Sequence, residues 1–132
     1  MVGTATATDR EAITEVMQLY IDGAADGDVS KLKTAFHEQA WMFGQMGGQR
    51  LDMPITEFFG LAAAQPLKTD DGFAARVASV EHTRDAATAV VTEDGCWGSV
   101  SFVDYFTLAR IDGEWKIVNK TFAHTGGEPP TD

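Results

Sequence analysis

The sequence predicts an α+β domain in which three N-terminal helices pack on one face of a curved, mainly antiparallel sheet. Apolar residues recur at three- and four-residue spacing in the first half of the chain, whereas short alternating runs rich in β-branched residues follow Pro66. Segment 104–124 joins two of these runs through Asp112-Gly113, a dipeptide typical of β-hairpins. Helices followed by strands indicate that the two kinds of element form separate layers.

The first two helices carry recognisable start signals. Thr8 is followed three residues later by Glu11, as in a capping box, and the first helix should end within residues 23–27. Asp28 or Ser30 can cap a short second helix. The apolar face of the first helix is predicted to consist of Ile13, Val16, Met17, Tyr20, Ile21 and Ala24.

The middle of the chain is predicted to contain a short strand, a turn and a third helix. Residues 41–43 form an apolar trio that suits a strand, and Gly44, Gly47 and Gly48 predict a flexible turn after it. Pro54 stands at a plausible first helical position, which predicts a helix over residues 55–64.

Four antiparallel strands are predicted in the second half, over residues 76–84, 87–93, 99–110 and 114–124. Asp85 and residues 93–95 mark the intervening turns, so the strands should form a meander. We therefore expect one domain over residues 8–124, with a flexible leader over residues 1–7 and a flexible tail over residues 125–132.

Composition limits the class of partner. The chain has 132 residues, 44% of them hydrophobic, which suits one domain with a real core. A net charge of −10 without any basic block disfavours nucleic acid and anionic membrane surfaces. Cys96 is the only cysteine, which excludes an internal disulfide. Without a signal-peptide pattern or a stretch of roughly 20 apolar residues, we expect a cytoplasmic protein.

Asp104 is the most unusual residue in the hairpin. Because side chains alternate along a strand, Asp104 shares one face with Phe102, Phe106 and Leu108. An acid among large apolar side chains is costly unless it is paired or protonated. Asp104 is therefore expected either at a sheet edge or in a site that does chemistry.

Three segments resemble the nuclear transport factor 2-like (SnoaL-like) superfamily, and most of all the family called putative lumazine-binding. They are LYIDGAADGD at residues 19–28, LKTAFHEQAWMFG at residues 32–44 and the hairpin at residues 104–124. The resemblance implies a cone, in which a strongly bent sheet wraps the three helices and a pocket opens at one end. It also implies a homodimer that packs sheet against sheet, with Val118 and Phe122 on the outward face beside Lys116 and Lys120.

The resemblance extends to ketosteroid isomerase, a member of the superfamily in which a tyrosine and a protonated aspartate stabilise an enolate. Tyr20 and Asp104 match these two positions. Both groups can donate a hydrogen bond to a developing oxyanion without a charge to desolvate. The general-base aspartate of that enzyme corresponds to Gly44 or its vicinity, so the isomerase site lacks its base here.

A purely structural role is the alternative for each polar candidate. Tyr20 can be a core tyrosine whose hydroxyl reaches a partner, and Asp104 can pair with Tyr20 or Asn119. His37 suits the end of the second helix, and His124 an exposed position at the end of the last strand. His82 is a weak candidate for a catalytic position in the pocket. Glu38 and Glu57 complete the set of possible replacement bases with the three histidines.

The aromatic residues suit a pocket for an apolar or aromatic ligand. The expected ligand-binding residues are Trp41, Phe43, Phe58, Phe102, Phe106 and Asn119, with Tyr20 and Asp104 as polar anchors. In the alternative, the rings fill the cone and leave no cavity. The sequence has no metal-ligand spacing and no nucleotide-binding glycine pattern, so we expect no metal or other cofactor.

Two functions from different classes remain open. One is a small-molecule-binding protein in which Tyr20 and Asp104 orient a polar group of the ligand. The other is a cofactor-independent isomerase, dehydratase or cyclase in which they stabilise an oxyanion. A dimerising accessory protein with a vestigial pocket is a third, weaker possibility. The missing base slightly favours the binding protein.

Overall fold

The structure, a computed structural model, describes residues 8–129 as three helices and six strands. The expected leader, residues 1–7, lies outside the described residues, as do residues 130–132 of the expected tail. The elements are α1 (Asp9–Asp26), α2 (Val29–Ala35), β1 (Phe36–Met46), β2 (Gln49–Pro54), α3 (Ile55–Ala64), β3 (Ala74–Thr83), β4 (Ala86–Cys96), β5 (Val100–Ile111) and β6 (Glu114–Gly126).

The predicted α+β fold is confirmed. The strands form a single curved sheet in the order β2-β1-β6-β5-β4-β3. Every neighbouring pair is antiparallel except β1 and β6, which run parallel. The three helices pack on one face of this sheet, which we call the inner face. Within residues 8–129, no helix combines the length and apolar character needed to cross a membrane.

The ends of α1 and the start of α2 are fixed by short-range hydrogen bonds and backbone conformation, as the sequence predicts. The Thr8 hydroxyl accepts a hydrogen bond from the Glu11 backbone N–H, and Glu11 accepts one in return from the Thr8 N–H at 2.8 Å, so the capping box is present. Gly27 ends α1 in the left-handed conformation, with φ of 71°. Asp28, rather than Ser30, caps α2 by accepting a hydrogen bond from the Lys31 N–H.

The strand and turn that precede α3 differ from the prediction. β1 covers eleven residues rather than three, and Gly44 lies inside it. The turn is formed by Gly47 and Gly48, with φ of 60° and 81°. The sequence did not predict β2, a short edge strand in which half of the residues are polar and none is fully buried. Its pairing with β1 stabilises a segment that carries almost no strand signal of its own.

The four strands of the second half are confirmed with shifted ends. The turn between β5 and β6 is Asp112-Gly113, and both residues have positive φ as a two-residue hairpin requires. β4 continues through Cys96 instead of ending at Glu93, and β6 continues to Gly126, inside the expected tail.

A β-bulge in β6 determines which of its side chains face inward. Thr107 of β5 pairs with Asn119, but the next residue, Leu108, pairs with Ile117, so Val118 is an extra residue in β6. Ile117 and Lys120 are both buried on the inner face although they are three residues apart. Before the bulge the odd-numbered residues Trp115 and Ile117 face inward, whereas after it the even-numbered residues Lys120 and Phe122 do so.

Candidate ligand-binding site

A cavity of about 460 Å³ lies between the inner face of the sheet, α1 and α3. The aromatic residues of this region therefore leave space between the sheet and the helices. The lining is mainly apolar with a small polar group at one end, as is common for small-molecule sites. The lining residues are Tyr20, Met42, Met46, Gln49, Leu51, Phe58, Leu61, Ala62, Gln65, Leu67, Glu93, Trp97, Phe102, Lys120 and Phe122.

Two buried carboxyl groups meet the hydroxyl of Tyr20. The hydroxyl oxygen lies 2.8 Å from Glu93 Oε2 and 3.0 Å from Asp104 Oδ2. All three side chains are buried, with exposed fractions of 2% or less. A phenol carries a single proton, so it can donate to only one of the two carboxyl groups. The other contact is a hydrogen bond only if that carboxyl group is protonated and donates to the phenol.

The register of β4 and β5 explains this arrangement. Asp104 pairs with Val91, and Phe102 pairs with Glu93, so the two acids are diagonal neighbours on the inner face. Tyr20 approaches them from α1, where the ring of Phe106 packs against it at a centroid distance of 4.8 Å. The expected meeting of Tyr20 with Asp104 is present, and Glu93 is an additional member of the cluster.

Burial raises the pKa of Glu93 well above its ordinary value, and the neighbouring negative charge of Asp104 raises it further. The positive charge of Lys120 acts in the opposite direction with a smaller effect. Glu93 therefore holds a proton over a wide pH range. Burial also raises the pKa of Tyr20 well above its ordinary value, with added effects from Asp104 and Glu93, so the phenol stays neutral.

Asp104 lies behind the cavity wall rather than in it. Its side chain is fully buried, and the residues that line the cavity include Tyr20 and Glu93 but not Asp104. Asp104 Oδ1 has no hydrogen-bond partner within the described part of the chain. The expectation that Asp104 contacts a ligand directly is corrected in position: Tyr20 and Glu93 are the polar groups at the surface, and Asp104 supports them from behind.

Glu93 was missed although its strand carries the signal. Ala87, Ala89, Val91 and Glu93 alternate on the inner face and are all buried. The sequence Glu93-Asp94-Gly95 was interpreted as a turn because acids and glycine are frequent in turns. In the structure the strand continues past Glu93, with an irregular register before Cys96.

Lys120 is the third ionisable residue of the cavity lining, and the sequence interpretation placed it on the outward face. Its side chain is only 5% exposed, and its Nζ lies over the rings of Phe58 at 4.6 Å, Phe122 at 4.8 Å and Tyr20 at 5.7 Å. These distances suit cation–π contacts. The expected outward positions of Lys120 and Phe122 are wrong because the extra residue in β6 turns both side chains inward.

The space beside Gly44, where a general base would stand, is occupied by another side chain. Gly44 pairs with Phe122 of β6, which in turn pairs with Asp104 of β5, so all three lie in one row across the sheet. A Cβ atom on Gly44 would overlap the ring of Phe122. The position that corresponds to the general base of ketosteroid isomerase is therefore filled by an aromatic ring.

The other expected ligand-binding residues divide into three groups. Phe58 and Phe102 line the cavity. Phe106 does not, because it is buried in the core against Tyr20. Trp41, Phe43 and Asn119 lie on the outer face and are corrected in position. Trp41 and Phe43 are 39% and 41% exposed, and Asn119, after the bulge, accepts a hydrogen bond from the exposed Thr121.

The histidines lie outside the cavity lining. His82 is exposed near one end of β3, with its ring 6.4 Å from that of Trp115, so its expected pocket position is corrected. His37 lies two residues beyond α2, within β1, and accepts a hydrogen bond from the Gln39 N–H. His124 is half-buried and contacts backbone groups of Gly47, Gly126 and Gly127. Glu38 and Glu57 are exposed on the surface.

Within residues 8–129, no group of three or more His, Cys, Asp or Glu side chains is arranged to hold a metal ion. Cys96 is buried, and burial, with a further effect from the nearby acids Glu93 and Asp104, raises the pKa of its thiol. The thiol therefore stays protonated in its ordinary working range and is a poor nucleophile.

The fold is that of the nuclear transport factor 2-like class. The chain belongs to the family described as "Putative lumazine-binding", whose pattern matches residues 8–123.

Solved structures with the same fold cover nearly the whole chain. A nuclear transport factor 2-like protein of unknown function from Methylobacillus flagellatus KT is 28% identical, with a TM-score of 0.79 and coverage of 95% of this chain and 99% of the other. A protein of the same description from Shewanella baltica OS155 is 25% identical, with a TM-score of 0.82 and coverage of 95% and 100%. A putative ketosteroid isomerase from Parabacteroides distasonis ATCC 8503 shares the fold at 14% identity, a TM-score of 0.64 and coverage of 94% and 93%.

A relative with a stated activity is aldolase FrzH from Cladobotryum sp. It is 21% identical over 119 residues, which cover 89% of this chain and 92% of the aldolase. The similarity therefore extends over the whole domain of both proteins and not over a local motif.

Proposed function

We propose that the protein binds a small, mainly apolar carbonyl compound in the inner cavity and that Tyr20 donates a hydrogen bond to its oxygen. Glu93 lies beside Tyr20 at the cavity surface, and Asp104 supports both from behind. The observation that carries the proposal is the contact of one phenol with two buried carboxyl groups at the polar end of an apolar cavity.

The proton arrangement allows this binding without the burial of a new charge. Glu93 holds a proton, because burial and the neighbouring charge of Asp104 raise its pKa. When Glu93 donates to Asp104, the phenolic proton of Tyr20 is free to turn toward a ligand oxygen. A neutral donor in apolar surroundings stabilises partial negative charge on a carbonyl oxygen at little desolvation cost.

The test compares two ligands with the same ring system, fluorenone and fluorene, of which only fluorenone has a carbonyl group. We expect the wild-type protein to bind fluorenone about tenfold more tightly, since a hydrogen bond from a neutral donor contributes about 1 kcal/mol and an unmet one costs more. Tyr20→Phe should remove most of this preference. Binding is measured by quenching of tryptophan fluorescence, because Trp97 lines the cavity.

Tyr105→Phe is the matched control, because Tyr105 is the other tyrosine of the chain and lies 57% exposed on the outer face. This variant should keep the wild-type preference. Equal binding of fluorenone and fluorene by the wild-type protein, or a preference that survives in Tyr20→Phe, would contradict the proposed role of Tyr20.

A second candidate function is a cofactor-independent enzyme that enolises a carbonyl compound, as an isomerase or an aldolase does. The cavity lining favours this function, because it contains three side chains that can exchange a proton with a ligand: Tyr20, Glu93 and Lys120. The similarity to an aldolase is consistent with enolate chemistry. Lys120 is the candidate base once its ammonium group has released a proton, since Gly44 provides none and the exposed Glu38 and Glu57 do not line the cavity.

Enolisation can be measured without knowledge of the true substrate. If the protein is such an enzyme, it should accelerate exchange of the α-protons of tetralone for deuterium in D₂O, as followed by NMR. Glu93→Gln and Lys120→Met should each reduce the acceleration at least tenfold, within the range for a lost acid or base. Binding of tetralone without any acceleration would leave the protein as a binder and exclude this second function.

The homodimer implied by the resemblance stays a prediction. The residues available for its contact differ from Val118 and Phe122, which the sequence suggested. Phe43, Thr121 and Tyr105 form one row across β1, β6 and β5 on the outer face. Trp41 lies near them, with its indole N–H donating to Asp52. We propose that these exposed aromatic residues, rather than Phe122, form the contact with a second copy of the chain.

A further inference from the structure

Within residues 8–129, the ammonium group of Lys120 has only a weak hydrogen-bond acceptor. An ammonium group has three N–H donors, but the contact found for it is with the sulfur of Met42 at 3.6 Å, and a thioether is a weak acceptor. The three rings around Nζ attract its charge without offering a lone pair in hydrogen-bond geometry. The strongest interactions available to a lysine are therefore unused.

No ion pair compensates for this. Within residues 8–129, Lys120 forms no salt bridge, whereas Lys116 on the same strand lies 3.6 Å from a carboxylate oxygen of Glu114 and donates to the Thr34 carbonyl at 2.8 Å. A buried ammonium group usually has a paired anion, because its burial is otherwise costly. Lys120 instead contributes to the lining of the cavity.

The charge of the cavity lining is positive, although the whole chain carries −10. Besides Tyr20, two residues of the cavity lining have an ionisable side chain: Lys120 and Glu93. Glu93 is protonated because burial and the neighbouring Asp104 charge raise its pKa. The Asp104 carboxylate is fully buried behind the wall. A ligand therefore meets one positive charge, on Lys120, and two neutral polar groups, the Tyr20 hydroxyl and the Glu93 carboxyl.

We propose that the cavity takes apolar, ring-bearing ligands that carry a carboxylate, and that Lys120 binds this carboxylate. This inference rests on the proposed function, because it names the chemical class of the ligand that the cavity binds. Met42 and Phe58 hold the Lys120 side chain against the wall, and the apolar part of the ligand then lies toward Leu51, Leu61 and Trp97. Lys120 is a specificity-determining residue in this arrangement.

The experiment compares naphthoate with naphthamide, which have the same rings and nearly the same size but differ in charge. Binding to the intact protein is measured by titration calorimetry at about 0.15 M salt, where the repulsion from the acidic surface is screened beyond about 8 Å. We expect naphthoate to bind at least about tenfold more tightly than naphthamide, since hydrogen bonds to charged groups are about twice as strong as neutral ones. Lys120→Met should abolish this preference, and Lys120→Arg should retain part of it.

Lys116→Met is the matched control, because it removes the same charge from the same strand at a residue that does not line the cavity. It should keep the preference for naphthoate. Fluorenone, the neutral probe of the proposed function, should still bind Lys120→Met, with a loss of affinity much smaller than the loss for naphthoate. That result also shows that the variant is folded with an intact cavity.

The outcomes separate the two proposals. Equal binding of naphthoate and naphthamide by a protein that binds fluorenone would overturn the carboxylate proposal alone. A preference for naphthoate that persists in Lys120→Met would overturn it as well, since another group would then bind the anion. Failure of the wild-type protein to bind any of the three compounds would overturn both proposals.

Discussion

Glu93→Gln should make the protein more stable at about pH 8 while leaving its stability at about pH 5 almost unchanged. Folding raises the pKa of Glu93 above its ordinary value of 4.5. The folded state therefore keeps a proton that the unfolded chain releases once the pH exceeds 4.5, and the free energy of unfolding falls as the pH rises toward the folded pKa. The slope approaches about 1.4 kcal/mol per pH unit for one such group. Glutamine does not titrate, so the free energy of unfolding of the variant does not fall in this way as the pH rises.

The measurement is urea denaturation at several pH values between about 5 and 8. Glu38→Gln, an exposed position in another strand, is the control and should follow the wild type. Other shifted groups titrate outside this window, because the pKa values of Asp9, Glu11 and Asp52 are lowered and those of Tyr20 and Cys96 are raised from already high values. Parallel pH profiles for wild type and Glu93→Gln would contradict the assignment of the proton to Glu93.

Gly44→Asp should not restore an isomerase base and should destabilise the fold. The ring of Phe122 occupies the space that a side chain at residue 44 would need. Overpacking of this kind typically costs about 1–3 kcal/mol, and a carboxylate near buried Asp104 adds a further cost. We expect the free energy of unfolding, measured in urea, to fall by at least this amount.

Gly60→Asp introduces the same side chain at an exposed position of α3 with no atom nearby, and it should be close to neutral. In a Phe122→Ala background, Gly44→Asp should cost much less than in the wild type, because the ring is no longer there. A cost that is unchanged in that background would show that the Phe122 ring is not the obstacle.

Features set by a few neighbouring residues could be predicted from the sequence. The capping box of Thr8 and Glu11, the Gly27 end of α1 and the Asp112-Gly113 turn each depend on local hydrogen bonds or backbone conformation. The order of helices and strands follows from the period of the apolar residues in the same way. The pairing of Tyr20 with Asp104 came from the resemblance, and the hydrogen bond between them is present.

The missed features depend on residues that are distant in the sequence. β2 is a strand because β1 pairs with it, not because of its own composition. Glu93 looked like a turn residue, since its burial depends on Tyr20, which is 73 residues away. Lys120, Phe122 and Asn119 were assigned to the wrong faces because a bulge has no reliable sequence signal and inverts the faces of the residues that directly follow it.

The bulge at Val118 also affects how this chain is compared with its relatives. An alignment without a gap at that point matches inward residues of one protein with outward residues of another wherever the relative lacks the extra residue. Lys120 would then be compared with a residue on the opposite face. Residue correspondence beyond position 118 therefore has to be taken from superposed strands, and the presence or absence of a lysine at position 120 in a relative is meaningful only after that superposition.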